Sequence, residues 1–205
     1  MKDGRCFSGT SPIFSEDDEM SEYTDKGQID HSLPSLSVRM TRAAMPIAEY
    51  PLPPGYRVAF YQSGDEEKWA DIHLRVAQFD DRQKALECFW RNFPEKEELP
   101  RRMMFAYASD GSCAGTTTAW FDGTVGRLHW VAVDPAHKGQ GLAKALVSRA
   151  TALLHELHPG EIYLTSGTRN HAAIAMYEKL GYVPDVAGSA GGEEAWRIIH
   201  EANRR

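Results

Sequence analysis

The sequence predicts a mixed α/β (α+β) domain: a mostly antiparallel sheet of about six or seven strands with one parallel pair, flanked by about four helices. Three observations predict it. Short apolar, β-branched runs separated by Asp-Gly turns follow one another from Met103 to Val133, the pattern of an antiparallel meander. A strand, a glycine-bearing turn, a long amphipathic stripe and a second short strand then run from Leu128 to Thr165, and such a crossover sets its two strands parallel. Stripes of apolar residues three and four apart occur before the meander and after the crossover.

The elements follow in order. Residues 1–45 are rich in Ser, Asp, Glu and Thr with isolated apolar residues, and read as a disordered or loosely docked arm; the folded domain is expected over 46–205. Tyr50-Pro-Leu-Pro-Pro-Gly55 is an extended lead-in to a first strand at Arg57–Tyr61. Gly64-Asp65-Glu66-Glu67 offers a cap and an acidic first turn to a helix with Trp69, Ile72, Val76 and Phe79 along one side. A second helix follows Asp81, carries Leu86, Phe89, Trp90 and Phe93, and ends at Pro94. The aromatics read as core; the turn Phe79-Asp80-Asp81 also borders a substrate pocket in the sharper reading. Strands at Met103–Ala108, Ala114–Phe121 and Arg127–Val133 are joined at Asp110-Gly111 and Asp122-Gly123. The next helix runs to about His158 with Leu142, Leu146, Leu153 and Leu157 as its stripe, and Pro159-Gly160 stops it. Glu161–Thr165 is a strand, Asn170–Leu180 a helix with Gly181 at its C′ end, and Val183 to about Ile199 two strands, the last at Trp196–Ile199.

Composition narrows the class. The chain has 205 residues, 42% hydrophobic and 25% charged, with a net charge of −6, so it is a soluble globular type and not a general nucleic-acid binder. No apolar run is long enough to span a membrane, and Met1–Asp18 lacks the apolar core of a signal peptide. Cys6, Cys88 and Cys113 are too few and too scattered for a disulfide frame or zinc site, which suits the cytoplasm. No metal site is expected, since the histidines assemble into no ligand spacing.

Gly139 and Gly141 stand where the strand Leu128–Val133 gives way to a helix. Free N–H groups and the positive end of the helix dipole make such a place a site for phosphate or pyrophosphate. A Walker loop is absent, and the dinucleotide fingerprint fails because Lys144 stands at its last glycine. Ala136-His-Lys-Gly139-Gln-Gly141 instead resembles the loop Q/R-x-x-G-x-G/A of the GCN5-related N-acetyltransferases (GNAT), with Ala136 in place of the usual Gln or Arg. Asn170-His-Ala-Ala173-Ile-Ala-Met-Tyr177-Glu-Lys-Leu-Gly181-Tyr182 fits the second signature of that family, N-x-x-A-x-x-x-Y-x-x-x-G-[FY], at every fixed place. The resemblance covers residues 56 to 200, and implies the GNAT fold with the parallel pair at the cofactor site.

It also implies acetyl-CoA (coenzyme A) as cofactor and transfer of its acyl group to a primary amine of a small molecule or peptide by a monomer or homodimer. A non-catalytic acyl-CoA-binding module is the alternative. The backbone of Lys138, Gly139, Gln140, Gly141, Leu142 and Ala143 would hold the pyrophosphate, and the strand edge Val131, Ala132 and Val133 the pantetheine arm. Asn170 would contact the cofactor or simply cap its helix. Tyr177 is the candidate general acid, its phenol reference pKa of about 10 lying near a thiol's ~8.5. His129 is the candidate base, with side chains at 129, 131 and 133 expected on one face of the strand; Glu161, Tyr163 or no protein base remain open. Trp120, Trp130, Phe79 and the acids Asp80, Asp81, Glu193 and Glu194 are expected around the acceptor pocket, where acids favour a cationic amine.

Overall fold

The computed structural model describes residues 29–121 and 123–204. Its strands are β1 (Ser37–Arg42), β2 (Arg57–Phe60), β3 (Met103–Tyr107), β4 (Cys113–Phe121), β5 (Gly126–Val133), β6 (Ile162–Gly167) and β7 (Val183–Asp185). Its helices are α1 (Glu66–Arg75), α2 (Arg82–Asn92), the short α3 (Leu99–Arg102), α4 (Leu142–Leu157), α5 (His171–Lys179) and α6 (Gly192–Ala202). The strands form one sheet in the order β2-β3-β4-β5-β6-β1-β7. Every pairing is antiparallel except β5–β6, as the crossover through α4 requires.

The two faces carry separate cores. On one, α1 and α2 bury Trp69, Phe89 and Phe93 against Phe105, Tyr107 and Trp120 of the meander. Asp81 caps α2 by accepting from the Lys84 N–H at 2.9 Å. On the other face α4 buries Leu142, Leu146, Ala150 and Leu154, one residue per turn. Leu153 and Leu157, expected in that stripe, are only half-buried at its flank.

Two expectations are corrected. The arm was to extend to residue 45, yet Ser37–Arg42 is a strand inside the sheet, between β6 and β7. Val38 and Met40 are fully buried and alternate with more exposed Ser37, Arg39 and Thr41, a period-two pattern hidden in a polar stretch. Arg42, buried, donates from Nε to Leu180 O (3.0 Å) and from Nη1 to Met45 O (2.7 Å), so the strand end also closes the C-terminus of α5. Residues 1–28 of the expected arm lie outside the described residues. The second correction concerns Trp196–Ile199, which is helical within α6 and not a last strand. Ala195, Trp196 and Ile199 fall on one helical face, Glu193 and Glu194 occupy the first turn, and Arg197 pairs with Glu194 and Glu201 one turn either side. The sheet instead takes in β1, between β6 and β7.

Candidate active site

The site is built where β5 leaves β6. Their pairing covers only Gly126↔Ile162 and Arg127↔Tyr163, and from Leu128 onward β5 is paired on its β4 side alone. A bulge accompanies the parting. Thr116 pairs with Ala132 but Thr118 with His129, so Thr117 faces two residues of β5, and Trp130 takes a left-handed φ of 50°. A non-glycine residue held there costs about 1–2 kcal/mol, a strain typical of functional positions.

The bulge re-aims the side chains. His129 and Ala132 share one face with Thr118 and Thr116, while Leu128 and Val133 pair on the other with Ala119 and Gly115. The expectation that 129, 131 and 133 share a face is therefore wrong. His129 looks toward α2, whereas Val131 packs against the α4–α5 core that contains Leu128, Val147 and Tyr177.

Beyond β5, Asp134 accepts from the Ala136 N–H at 2.9 Å and pairs with Arg75 of α1 at 2.5 Å, fixing the start of the loop. The Lys138 N–H, expected in the cradle, turns inward toward Pro135 O at 3.5 Å. The N–H groups of Gly139, Gln140, Gly141, Leu142, Ala143 and Lys144 donate to no other described residue; the first helical bond of α4 is Ala145 N–H to Gly141 O at 3.1 Å. Gly139 and Gly141 have φ of 73° and 83°, a region where only glycine is at ease, and nothing lies within 4 Å of where a Cβ would stand. An open row of amides at the head of a sixteen-residue helix is chemically suited to an anion.

Asn170 heads α5 without capping it, so its half-buried side chain is not spent on the helix. Tyr177, buried on the same helix, meets Tyr182 edge to face at 6.0 Å between ring centres. Burial pushes its phenol well above the usual value, so it is protonated throughout the neutral range.

His129 is also buried, and burial, with Arg127 and His73 nearby, holds its imidazole well below the ordinary pKa. Its Nε2 donates to Asn92 Oδ1 at 3.3 Å, while Asn92 Nδ2 donates to Cys88 O at 2.8 Å. That chain fixes the tautomer and makes Nδ1 the proton-accepting nitrogen. His129 lines a cleft of about 260 Å³ with Arg91, Asn92, Glu95, Trp120, Arg127 and Tyr163. A larger depression of about 390 Å³, at Tyr56, Ser109 and Asp110, contains none of the expected site residues.

The cleft does not gather the acids expected around an acceptor pocket. Trp120 lines the cleft, but Asp80 pairs with Lys84, Asp81 caps α2, and Glu194 pairs with Arg197 on α6. Trp130 and Phe79 stack on each other at 5.9 Å above the buried His73. Glu161 is exposed beyond the cleft's lining, whereas Tyr163 is part of it. Arg127, not among the expected site residues, also lines the cleft, two residues before His129 on one face of one strand. Arg91, Asn92 and Glu95 carried no sequence signal, because only the packing of α2 on the sheet brings them there.

The chain is similar to known proteins. A profile described as the Acetyltransferase (GNAT) family matches residues 66–182, from α1 through the second motif. A mycothiol acetyltransferase of Catenulispora acidiphila is 29% identical over 70% of this chain and 49% of its own length. An acetyltransferase of Pectobacterium atrosepticum is 36% identical over 54% of this chain and 87% of its own. The chain spans about half the length of the mycothiol acetyltransferases it matches. A GCN5-related N-acetyltransferase from Sphaerobacter thermophilus superposes with a TM-score of 0.63 at 17% identity, covering 74% of this chain and 49% of that one, which establishes the shared fold. Because the profile match takes in more than half of the chain, including both motifs and the parted β5–β6 pair, this protein belongs to the GNAT acetyltransferase family.

Proposed function

We propose that the chain is an acetyl-CoA-dependent N-acetyltransferase acting on a primary amine of a small molecule or peptide. The observation that carries this reading is the run of unbonded amides from Gly139 to Lys144 beside a strand edge freed from its parallel neighbour. The cradle fits a pyrophosphate: it offers several N–H donors, a helix dipole and no Cβ in the approach. The freed edge of β5 suits an extended arm with amide groups, which adds to it as a strand does. Bound acetyl-CoA supplies an acetyl group activated as a thioester.

The residues divide the remaining work between the two faces. Tyr177 Oη holds a proton on the α5 side and gives it up where negative charge develops on a leaving sulfur. His129 Nδ1 takes a proton from the amine on the α2 side, directly or through water. An acid and a base on opposite faces of a sheet can serve one reaction only where the sheet is open, and β5 and β6 part between them. Asn170 is assigned a cofactor contact, its side chain being free of capping duty. A cytoplasmic setting accords with Cys88 and Cys113 as free thiols. The second reading, an acyl-CoA-binding module without catalysis, draws on the burial of Tyr177.

Thermal shift tests the binding half. Saturating acetyl-CoA or CoA should raise the melting temperature by about 5–10 °C at a hundredfold excess over Kd. NAD and ATP, which lack the pantetheine arm, should give much smaller shifts. Equal shifts from all four, or none, would remove the cofactor assignment.

A further inference from the structure

We propose that the acceptor amine carries a carboxylate, bound in the β5–α2 cleft by Arg127 and Arg91. The inference rests on the acetyl-transfer reading above and names the substrate class of its acceptor side. Arg127 leaves the same face of β5 as His129 and enters the same cleft. Its Nη2 donates to Thr165 Oγ1 at 2.7 Å, and its guanidinium lies 5.5 Å from the centre of the Tyr163 ring. Its Nε is buried without a partner, and no carboxylate of the described residues pairs with it. Arg102, buried on α3, also has an unpartnered Nε, but its guanidinium pairs with Glu98 at 2.7 Å. A half-buried guanidinium with no counter-ion retains its capacity for an anion, and a planar carboxylate is the group its fork fits.

The rest of the cleft agrees. Arg91, on the last turn of α2, is a second guanidinium without an ion-pair partner among the described residues. Glu95 is a single carboxylate in the same wall, likewise unpaired there. Two cations and one anion complement a molecule with an ammonium and a carboxylate, the form in which a free amino acid reaches the site. Arg127 and His129 are two residues apart on one strand, about 7 Å between Cα atoms. A carboxylate and an amine a few bonds apart can bridge them.

The test measures, with CoA or acetyl-CoA present, the melting shift and the thiol release produced by the twenty common amino acids and by their carboxamides. A subset of free amino acids should stabilise the protein and be turned over with kcat/KM about ten- to a hundredfold above the matching carboxamides, the worth of a charge-assisted hydrogen bond. In Arg127→Gln and, separately, Arg91→Gln, that ratio should fall toward one; the second variant sits on an exposed helix end and guards against misfolding of the first. Selective stabilisation without thiol release would support the carboxylate site and overturn acetyl transfer. Carboxamides that equal or exceed the free acids would overturn the carboxylate site and leave acetyl transfer standing, as would a native ratio in both variants. No response to either set would likewise overturn it.

Discussion

His129 and His73 are both buried imidazoles facing the α1–α2 layer, and their surroundings separate their roles. His129 opens onto a cleft and has one nitrogen occupied by Asn92. His73 is wholly enclosed, 4.0 Å from the Trp69 ring and 5.1 Å from that of Trp130, with Gln78 on Nδ1. Burial pulls its pKa from 6.5 to about 3. The unfolded chain therefore takes up this proton near pH 6.5, the folded chain only near pH 3. The contribution of His73 to stability is full above pH 6.5 and is lost as pH falls toward 3, by about 5 kcal/mol in all. Urea unfolding measured between pH 7 and pH 4 should show that slope, and His73→Phe should remove it; an unchanged slope in the variant would exclude His73 as its source. At this scale chemistry and motif single out His129 and Tyr177 as candidates. The face of His129 was not legible, because strict alternation breaks at a left-handed Trp130 that no propensity announces.

The glycine loop and α4 act as one element. Asp134 and the turn after it consume the amides of Ala136, His137 and Lys138, so the open donors begin at Gly139. Gly141 is the residue from which α4 starts, at φ 83°, with open space beside it. Gly141→Val puts a β-branched side chain into a left-handed conformation and into the approach of an anion. It should cost about 1–2 kcal/mol of stability and weaken CoA binding by at least about tenfold, read by calorimetric titration with CoA. Native affinity in that variant would mean the amides are not the anion site. The loop was readable from sequence because its glycines and helix start are local. The helix α6 was not: the short stretch Trp196-Arg-Ile-Ile199 fits strand and helix alike, and the pairing of Arg197 with Glu194 and Glu201, one turn either side, decides it.

Over the whole molecule, the sheet depends on a segment far from the motifs. β1 pairs with β6 along six residues and with β7 along three, so without it β7 has no neighbour and α6 loses part of its floor. The polar context of Ser37–Arg42 hid this, since its two inward side chains, Val38 and Met40, gain their meaning only from partners more than a hundred residues later. A chain beginning at residue 46 should therefore lose cooperative thermal unfolding, whereas one beginning at residue 29 should keep it; circular dichroism melts distinguish them, and a native melt from the shorter chain would refute the role given to β1. The meander and crossover on the other side were legible, because their contacts lie between neighbours in sequence.

These scales meet at Tyr177, which the second motif supplies, α5 positions, and the β1-anchored sheet holds beside the parted strands. The most direct measurement is thiol release from acetyl-CoA with the best acceptor amine, comparing the native chain with Tyr177→Phe. A general acid at this place predicts that kcat falls by about 10²- to 10⁴-fold while KM for acetyl-CoA stays within about threefold of native. A Tyr177→Phe protein that turns over at the native kcat would contradict it.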